Sequence, residues 1–175
     1  LLDDGATAAY LDCGVWGSKP VKEAKLFGNV EVVASSKDRN YCYIPKNFVV
    51  PSNASYFHYT TNNTIEGTQM HFVPDTNVPL VADMSSDILS HTMDFNRFAL
   101  IYAGAQKNIG AAGVNLVIVN KNILGKVKRQ LPSMMDYRKH IENGSMLNTP
   151  PVFAIYVCML TLRWLKAQGG VAAIE

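Results

Sequence analysis

The stretch Thr7-Ala-Ala-Tyr-Leu-Asp-Cys-Gly-Val-Trp-Gly-Ser-Lys-Pro-Val-Lys-Glu-Ala-Lys-Leu-Phe-Gly-Asn-Val-Glu-Val-Val-Ala34 decides the fold class. Thr7 to Leu11 and Val30 to Ala34 are short, nearly continuous apolar runs. Between them, Ser18 can cap a helix, Pro20 sits early enough for a first turn and Gly28 supplies a stop, so a helix is expected from Ser18 to Phe27. Strand, helix and strand make a crossover unit, and the expected class is α/β.

The same pattern continues outward. Tyr56 to Tyr59, Leu80 to Ala82, Phe98 to Ala103 and Val114 to Val119 are further apolar runs bounded by Gly, Pro, Asn or Ser. Runs of this kind are expected as strands of a mostly parallel sheet, covered on both faces by helices. Pro150-Pro151 opens an expected helix from Val152 to Gln168, stopped by Gly169-Gly170. Its apolar part, Val152 to Leu162, is shorter than the roughly 20 residues of a membrane span, and Arg163 and Lys166 follow it. That helix is expected in the core or at a subunit interface. With no repeat, low-complexity tract or linker, residues 1–175 read as one domain.

Hydrophobic residues make up 48% of the chain and charged residues 17%, with a formal net charge of +2. Such a balance fits a globular domain and gives no electrostatic reason to expect nucleic acid or an anionic membrane as partner. Cys13, Cys42 and Cys158 are odd in number and widely spaced, which suggests neither a disulfide framework nor a metal site. A reduced, cytoplasmic setting is expected. Asn53, Asn62 and Asn143 each open a glycosylation-type tripeptide and are read as structural. The start at Leu1 without Met, and the end at Glu175, suggest a piece of a longer protein.

The segment richest in chemistry is Phe98-Ala-Leu-Ile-Tyr-Ala-Gly-Ala-Gln-Lys-Asn-Ile-Gly-Ala-Ala-Gly113. An apolar strand runs into Lys107, and the small residues around it let backbone approach a ligand closely. A lysine buried at a strand end is driven toward the neutral amine, which attacks carbonyl carbons. The alternative is a surface lysine in a loop, and pattern alone leaves both open.

Gly104-Ala105-Gln106-Lys107-Asn108, then Ala112-Gly113, then Gly144-Ser-Met-Leu-Asn-Thr-Pro-Pro151, resembles the phosphoserine aminotransferases, which are class-V, fold-type-I enzymes. The resemblance extends through Val15-Trp16, Thr60-Thr-Asn-Asn-Thr-Ile65, Ala82-Asp-Met-Ser-Ser86 and Trp164-Leu-Lys-Ala-Gln-Gly-Gly170, essentially the whole chain. It implies the central part of a large domain binding pyridoxal 5'-phosphate, with an N-terminal segment and a C-terminal small domain lying outside the chain. It further implies that Lys107 forms the imine with the cofactor and that Gln106 contacts its phosphate. Asp83 would pair with the pyridine nitrogen, Trp16 would stack on the ring, and Thr64 would bond the phenolic oxygen. Asn148 and Thr149 would reach the phosphate of the neighbouring subunit's cofactor, in a homodimer with shared active sites.

Read alone, Trp16 would be a core residue, Asn62-Asn63-Thr64 a turn, Asp83 a loop cap, and Asn148 and Thr149 helix caps. The implied reaction transfers an amino group between L-glutamate and 3-phosphohydroxypyruvate, giving O-phospho-L-serine and 2-oxoglutarate. 4-Phosphohydroxythreonine, of pyridoxine biosynthesis, is a further candidate product. No metal is implied. One departure stands out: after Ser90 the family commonly has Arg or Lys and then Pro, where this chain has His91-Thr92. The alternatives are another class-V enzyme, such as an alanine-glyoxylate aminotransferase or a desulfurase, and a non-catalytic fragment that only folds or dimerises. The isolated chain is expected to be inactive.

Overall fold

The structure, a computed structural model, describes residues 1–175. β1 (Thr7–Asp12) is buried along nearly its whole length and leads through Gly14 into α1 (Val15–Ala24). The chain returns as β2 (Asn29–Ser35), parallel to β1, which completes the crossover unit. β3 (Phe57–Thr60) then pairs with the other side of β1, and a small antiparallel hairpin, β4 (Asn62–Asn63) and β5 (Thr68–Gln69), follows. β6 (Leu80–Asp83), β7 (Leu100–Gly104) and β8 (Asn115–Val119) complete a six-stranded sheet in the order β2-β1-β3-β6-β7-β8. All its pairings are parallel except β7 with β8, so the expected mostly parallel α/β sheet is what forms.

Because side chains alternate across a strand, the sheet carries two cores. Ala9, Leu11, Phe57, Tyr59, Ala82, Ile101 and Ala103 pack on one face, while Ala8, Tyr10, Val81 and Leu100 pack on the other. β2 and β8 differ from the expectation of strands covered on both faces. As the sheet edges they are half-buried at most.

The first helix also starts three residues before the expected Ser18. Gly14 lets the chain turn tightly there, since a Cβ on it would come within 2.6 Å of Glu66 Oε2 and 2.7 Å of Asn63 Oδ1. Glu66 Oε1 accepts a hydrogen bond from the Val15 amide at 2.8 Å, so the cap comes from a residue 51 positions away. Ser18 instead donates its hydroxyl to Asp12 Oδ1 at 2.6 Å.

Beyond the sheet lie α2 (Tyr137–Glu142), α3 (Val152–Ala167) and α4 (Val171–Ile174). α3 is where the sequence places it, but it is not a core helix. Only Ala154 and Cys158 are buried, while Phe153 is 78% and Trp164 57% exposed, so the core option for this helix is corrected. No helix is long and apolar enough to cross a membrane.

Candidate active site

The carboxyl ends of β1, β3, β6 and β7 gather Trp16, Thr64, Asp83 and Lys107 on adjacent loops, the usual place for a ligand in an open parallel sheet. Lys107 follows β7 by three residues, and its Nζ donates to Thr64 Oγ1 at 3.2 Å. Two residues 43 apart in sequence therefore meet. Lys107 and Gln106 are both exposed, the surface alternative of the two that pattern leaves open, and nothing in this chain covers the end of β7. A Cβ at Gly104 would come within 2.4 Å of Gln106 Oε1, so this glycine lets the Gln106 side chain fold back over the strand end.

Asp83 closes β6 and is half-buried. Its Oδ1 accepts from the Ser85 amide at 2.9 Å and from the Ser85 hydroxyl at 2.6 Å, the short distance expected when the acceptor is charged. Ser85 Oγ in turn accepts from the Gly104 amide at 3.0 Å. The segment carrying Thr64 is fixed to the loop after β6 in a similar way. Thr61 Oγ1 donates to Asp87 Oδ1 at 2.5 Å, and Asn62 Nδ2 donates to Ser86 Oγ at 2.8 Å. Burial pushes the Asp87 carboxyl above the usual carboxylate range, opposed by the Thr61 and Gln69 hydrogen bonds.

Trp16, in the first turn of α1, is 39% exposed, with Lys19 Nζ 4.5 Å from its ring centroid. That exposure excludes the core reading of this tryptophan. Trp16 and Asp83 line a cleft of about 600 Å³, together with Tyr10, His58 and Tyr102; Lys107, Thr64 and Gln106 do not line it. Tyr10, His58 and Tyr102 form a row of rings in the cleft: His58 is tilted against Tyr10 and stacked on Tyr102, with centroids 4.8 Å and 5.9 Å apart, and His58 Nε2 is 2.8 Å from the Tyr102 hydroxyl. Burial lowers the His58 pKa to about 3, so the ring is neutral. Burial first, and then the charge of Asp83, raise the Tyr102 phenol.

Asn148 and Thr149 are exposed, and Asn148 bonds the Thr149 carbonyl at 3.3 Å and no other site residue. They do not cap α3, whose N-cap is Pro151 and lacks a side-chain hydrogen bond. At the departure from the family pattern, His91 is paired with the Ser90 hydroxyl, and Thr92 donates through both its amide and its hydroxyl to Glu175. Sequence reasoning missed Ser85, Thr61 and Asp87 as organisers of the site. Their partners lie on other strands, and only the Asp-x-Ser spacing of Asp83 and Ser85 was a local signal.

This end of the sheet thus offers an amine with a hydroxyl beside it and, in the cleft, a carboxylate fixed through one oxygen and an aromatic face. The family model described as Aminotransferase class-V matches residues 1–175. A phosphoserine aminotransferase from Flavobacterium johnsoniae is 59% identical over 175 residues, covering 100% of this chain and 49% of that relative. The phosphoserine aminotransferase structure from Bacillus circulans subsp. alkalophilus superposes with a TM-score of 0.93 at 46% identity, over 98% of this chain and 48% of that one. A pyridoxal-phosphate-bound phosphoserine aminotransferase from Trichomonas vaginalis superposes with a TM-score of 0.88 at 35% identity, over 98% of this chain and 52% of that one. The chain thus spans about half the length of the relatives it matches.

Proposed function

This chain belongs to the class-V aminotransferase family, and we propose that a protein containing it transfers the amino group of L-glutamate to 3-phosphohydroxypyruvate. The products are O-phospho-L-serine and 2-oxoglutarate, and the cofactor is pyridoxal 5'-phosphate. The observation that most supports this reading is 59% identity across the whole chain to a relative named for that activity. Another class-V activity is less favoured for the same reason.

When bound, pyridoxal phosphate supplies a carbonyl carbon that accepts an amine and a ring that takes up electrons from the substrate's Cα. Lys107 Nζ would be the amine that holds that carbon and, when free, would take the proton from Cα of the amino donor. Thr64, already bonded to Lys107, would orient the amine and donate to the phenolic oxygen. Asp83 would hold a proton on the ring nitrogen, Trp16 would cover the ring face and exclude water there, and the Gln106 amide would meet the phosphate. Asn148 and Thr149 serve the site of a second copy, which accords with their exposure and with the absence of a hydrogen bond from Asn148 to the other site residues. The exposed apolar side of α3, with Phe153, Tyr156 and Trp164, suits burial in such a homodimer or against the rest of the protein. The setting is the cytoplasm.

The test is a substrate panel on the full-length protein: glutamate with 3-phosphohydroxypyruvate, alanine with glyoxylate, and cysteine alone. The first pair should exceed the others by at least about a hundredfold in kcat/KM, the discrimination expected of a site with charged partners for its substrate. Equal rates for alanine with glyoxylate would overturn the reading.

A further inference from the structure

Resting on the transaminase reading, we propose that Ser85 is a positioning residue for the reaction: its hydroxyl locks the Asp83 carboxylate to the strand end that carries Lys107. Three hydrogen bonds carry this inference. The Gly104 amide occupies the acceptor side of Ser85 Oγ at 3.0 Å, so the hydroxyl's single hydrogen is directed to Asp83 Oδ1, 2.6 Å away. The Ser85 amide adds a second bond to the same oxygen at 2.9 Å.

Both bonds to Asp83 Oδ1 come from Ser85, while the Tyr102 phenol on the neighbouring strand is a further hydrogen-bonding neighbour of the carboxylate. The bridge also runs between neighbouring strands. Asp83 ends β6, its register partner on β7 is Tyr102, and Gly104 is the last residue of β7, three before Lys107. Strands in a twisted sheet diverge toward their ends, so the spacing between a carboxylate on one and a lysine beyond the other needs a fixed link. Ser85 supplies that link with one side-chain atom. Its effect on the reaction passes through the orientation of Asp83, since the hydroxyl's one hydrogen is held by Asp83 and none is left to donate to a ligand.

An Asp-x-Ser turn that merely stabilises the loop would show the same bonds, so the experiment must separate the two roles. In the full-length holoenzyme, the dissociation constant for pyridoxal phosphate is measured for wild type, Ser85→Ala, Asp83→Ala and the double variant, with thermal unfolding of each apo form as a control. Ser85→Thr, which keeps the hydroxyl, serves as the rescue. If Ser85 acts through Asp83, Ser85→Ala weakens cofactor binding about tenfold, as loss of a hydrogen bond to a charged group predicts. On the Asp83→Ala background the same change has an effect under about twofold, because the coupled partner is gone. Ser85→Thr restores binding to within about threefold, and KM for glutamate stays within about twofold across the Ser85 variants. Equal effects of Ser85→Ala on both backgrounds, or no effect on wild type, would overturn this inference while leaving the transaminase reading standing. Failure of the wild-type protein to bind pyridoxal phosphate at all would overturn both.

Discussion

Gly110 and Cys158 meet backbone to backbone: a Cβ on Gly110 would lie 2.9 Å from Cys158 Cα and 3.1 Å from its amide nitrogen. Cys158 is one of only two buried residues of α3, so this contact seats the helix against the loop that carries Lys107. Gly110→Ala should therefore displace α3 and destabilise the protein by about 1 to 3 kcal/mol, the usual cost of overpacking. Urea unfolding of the purified full-length variant measures it. Stability unchanged within about 0.5 kcal/mol would mean that α3 does not bear on Gly110.

Asp83→Ala should harm catalysis far more than folding, since Asp83 is bonded to Ser85 rather than packed in the core. Losing a preorganised charge of this kind is expected to lower the half-reaction rates by roughly a hundredfold or more. Stopped-flow measurement on the full-length enzyme decides it, and a loss below about tenfold would count against the assigned role.

His58 gives the fold a pH dependence with a definite sign. Its pKa is depressed by burial to about 3, against an ordinary 6.5 in the unfolded chain. The unfolded state therefore binds a proton first as pH falls. The contribution of neutral His58 to stability is complete above about 6.5 and is lost progressively from there down to about pH 3. His58→Gln keeps a hydrogen-bonding group for the Tyr102 hydroxyl without the titration, so its melting temperature should fall less between pH 7 and pH 5 than that of wild type. Parallel pH profiles for the two would show that His58 is not held neutral.

How much of this was legible beforehand depended on how local each signal is. The six strands of the main sheet and the span of α3 were readable because burial of short apolar runs and Pro-to-Gly boundaries are written in neighbouring residues. The start of α1 was not, because its cap is Glu66, brought in by the hairpin of β4 and β5. Ser18 carried a cap-like signal but went to Asp12. Exposure was least legible where it depends on what covers an element: β2 and β8 are edges, α3 rests on one narrow stripe, and Lys107, whose burial the pattern left open, has no lid within this chain. The resemblance named Lys107 and Thr64, and the structure brings them together. Ser85, Thr61 and Asp87 emerged only once β3, β6 and β7 were side by side.

Expressed alone, the 175-residue chain should not turn over 3-phosphohydroxypyruvate at a useful rate. Lys107 and Gln106 are exposed, and among the proposed cofactor contacts only the Gln106 side chain is assigned to the phosphate. Positioning both reactants accounts for as much as about 7 to 11 kcal/mol of such rate enhancements, and an open site gives up much of it. Assaying the chain beside the full-length protein provides the check. Activity within about tenfold of full length would show that this chain holds substrate contacts beyond those proposed.

The central claim is that Lys107 is the lysine that holds the cofactor. Borohydride reduction of the full-length protein loaded with pyridoxal phosphate, followed by peptide mass spectrometry, tests it most directly. The reduced pyridoxyl group should be found on the peptide containing Gln106-Lys107-Asn108, and Lys107→Ala should lose both that adduct and transamination. An adduct on Lys46, Lys121 or Lys126 instead, or normal turnover by Lys107→Ala, would contradict the account.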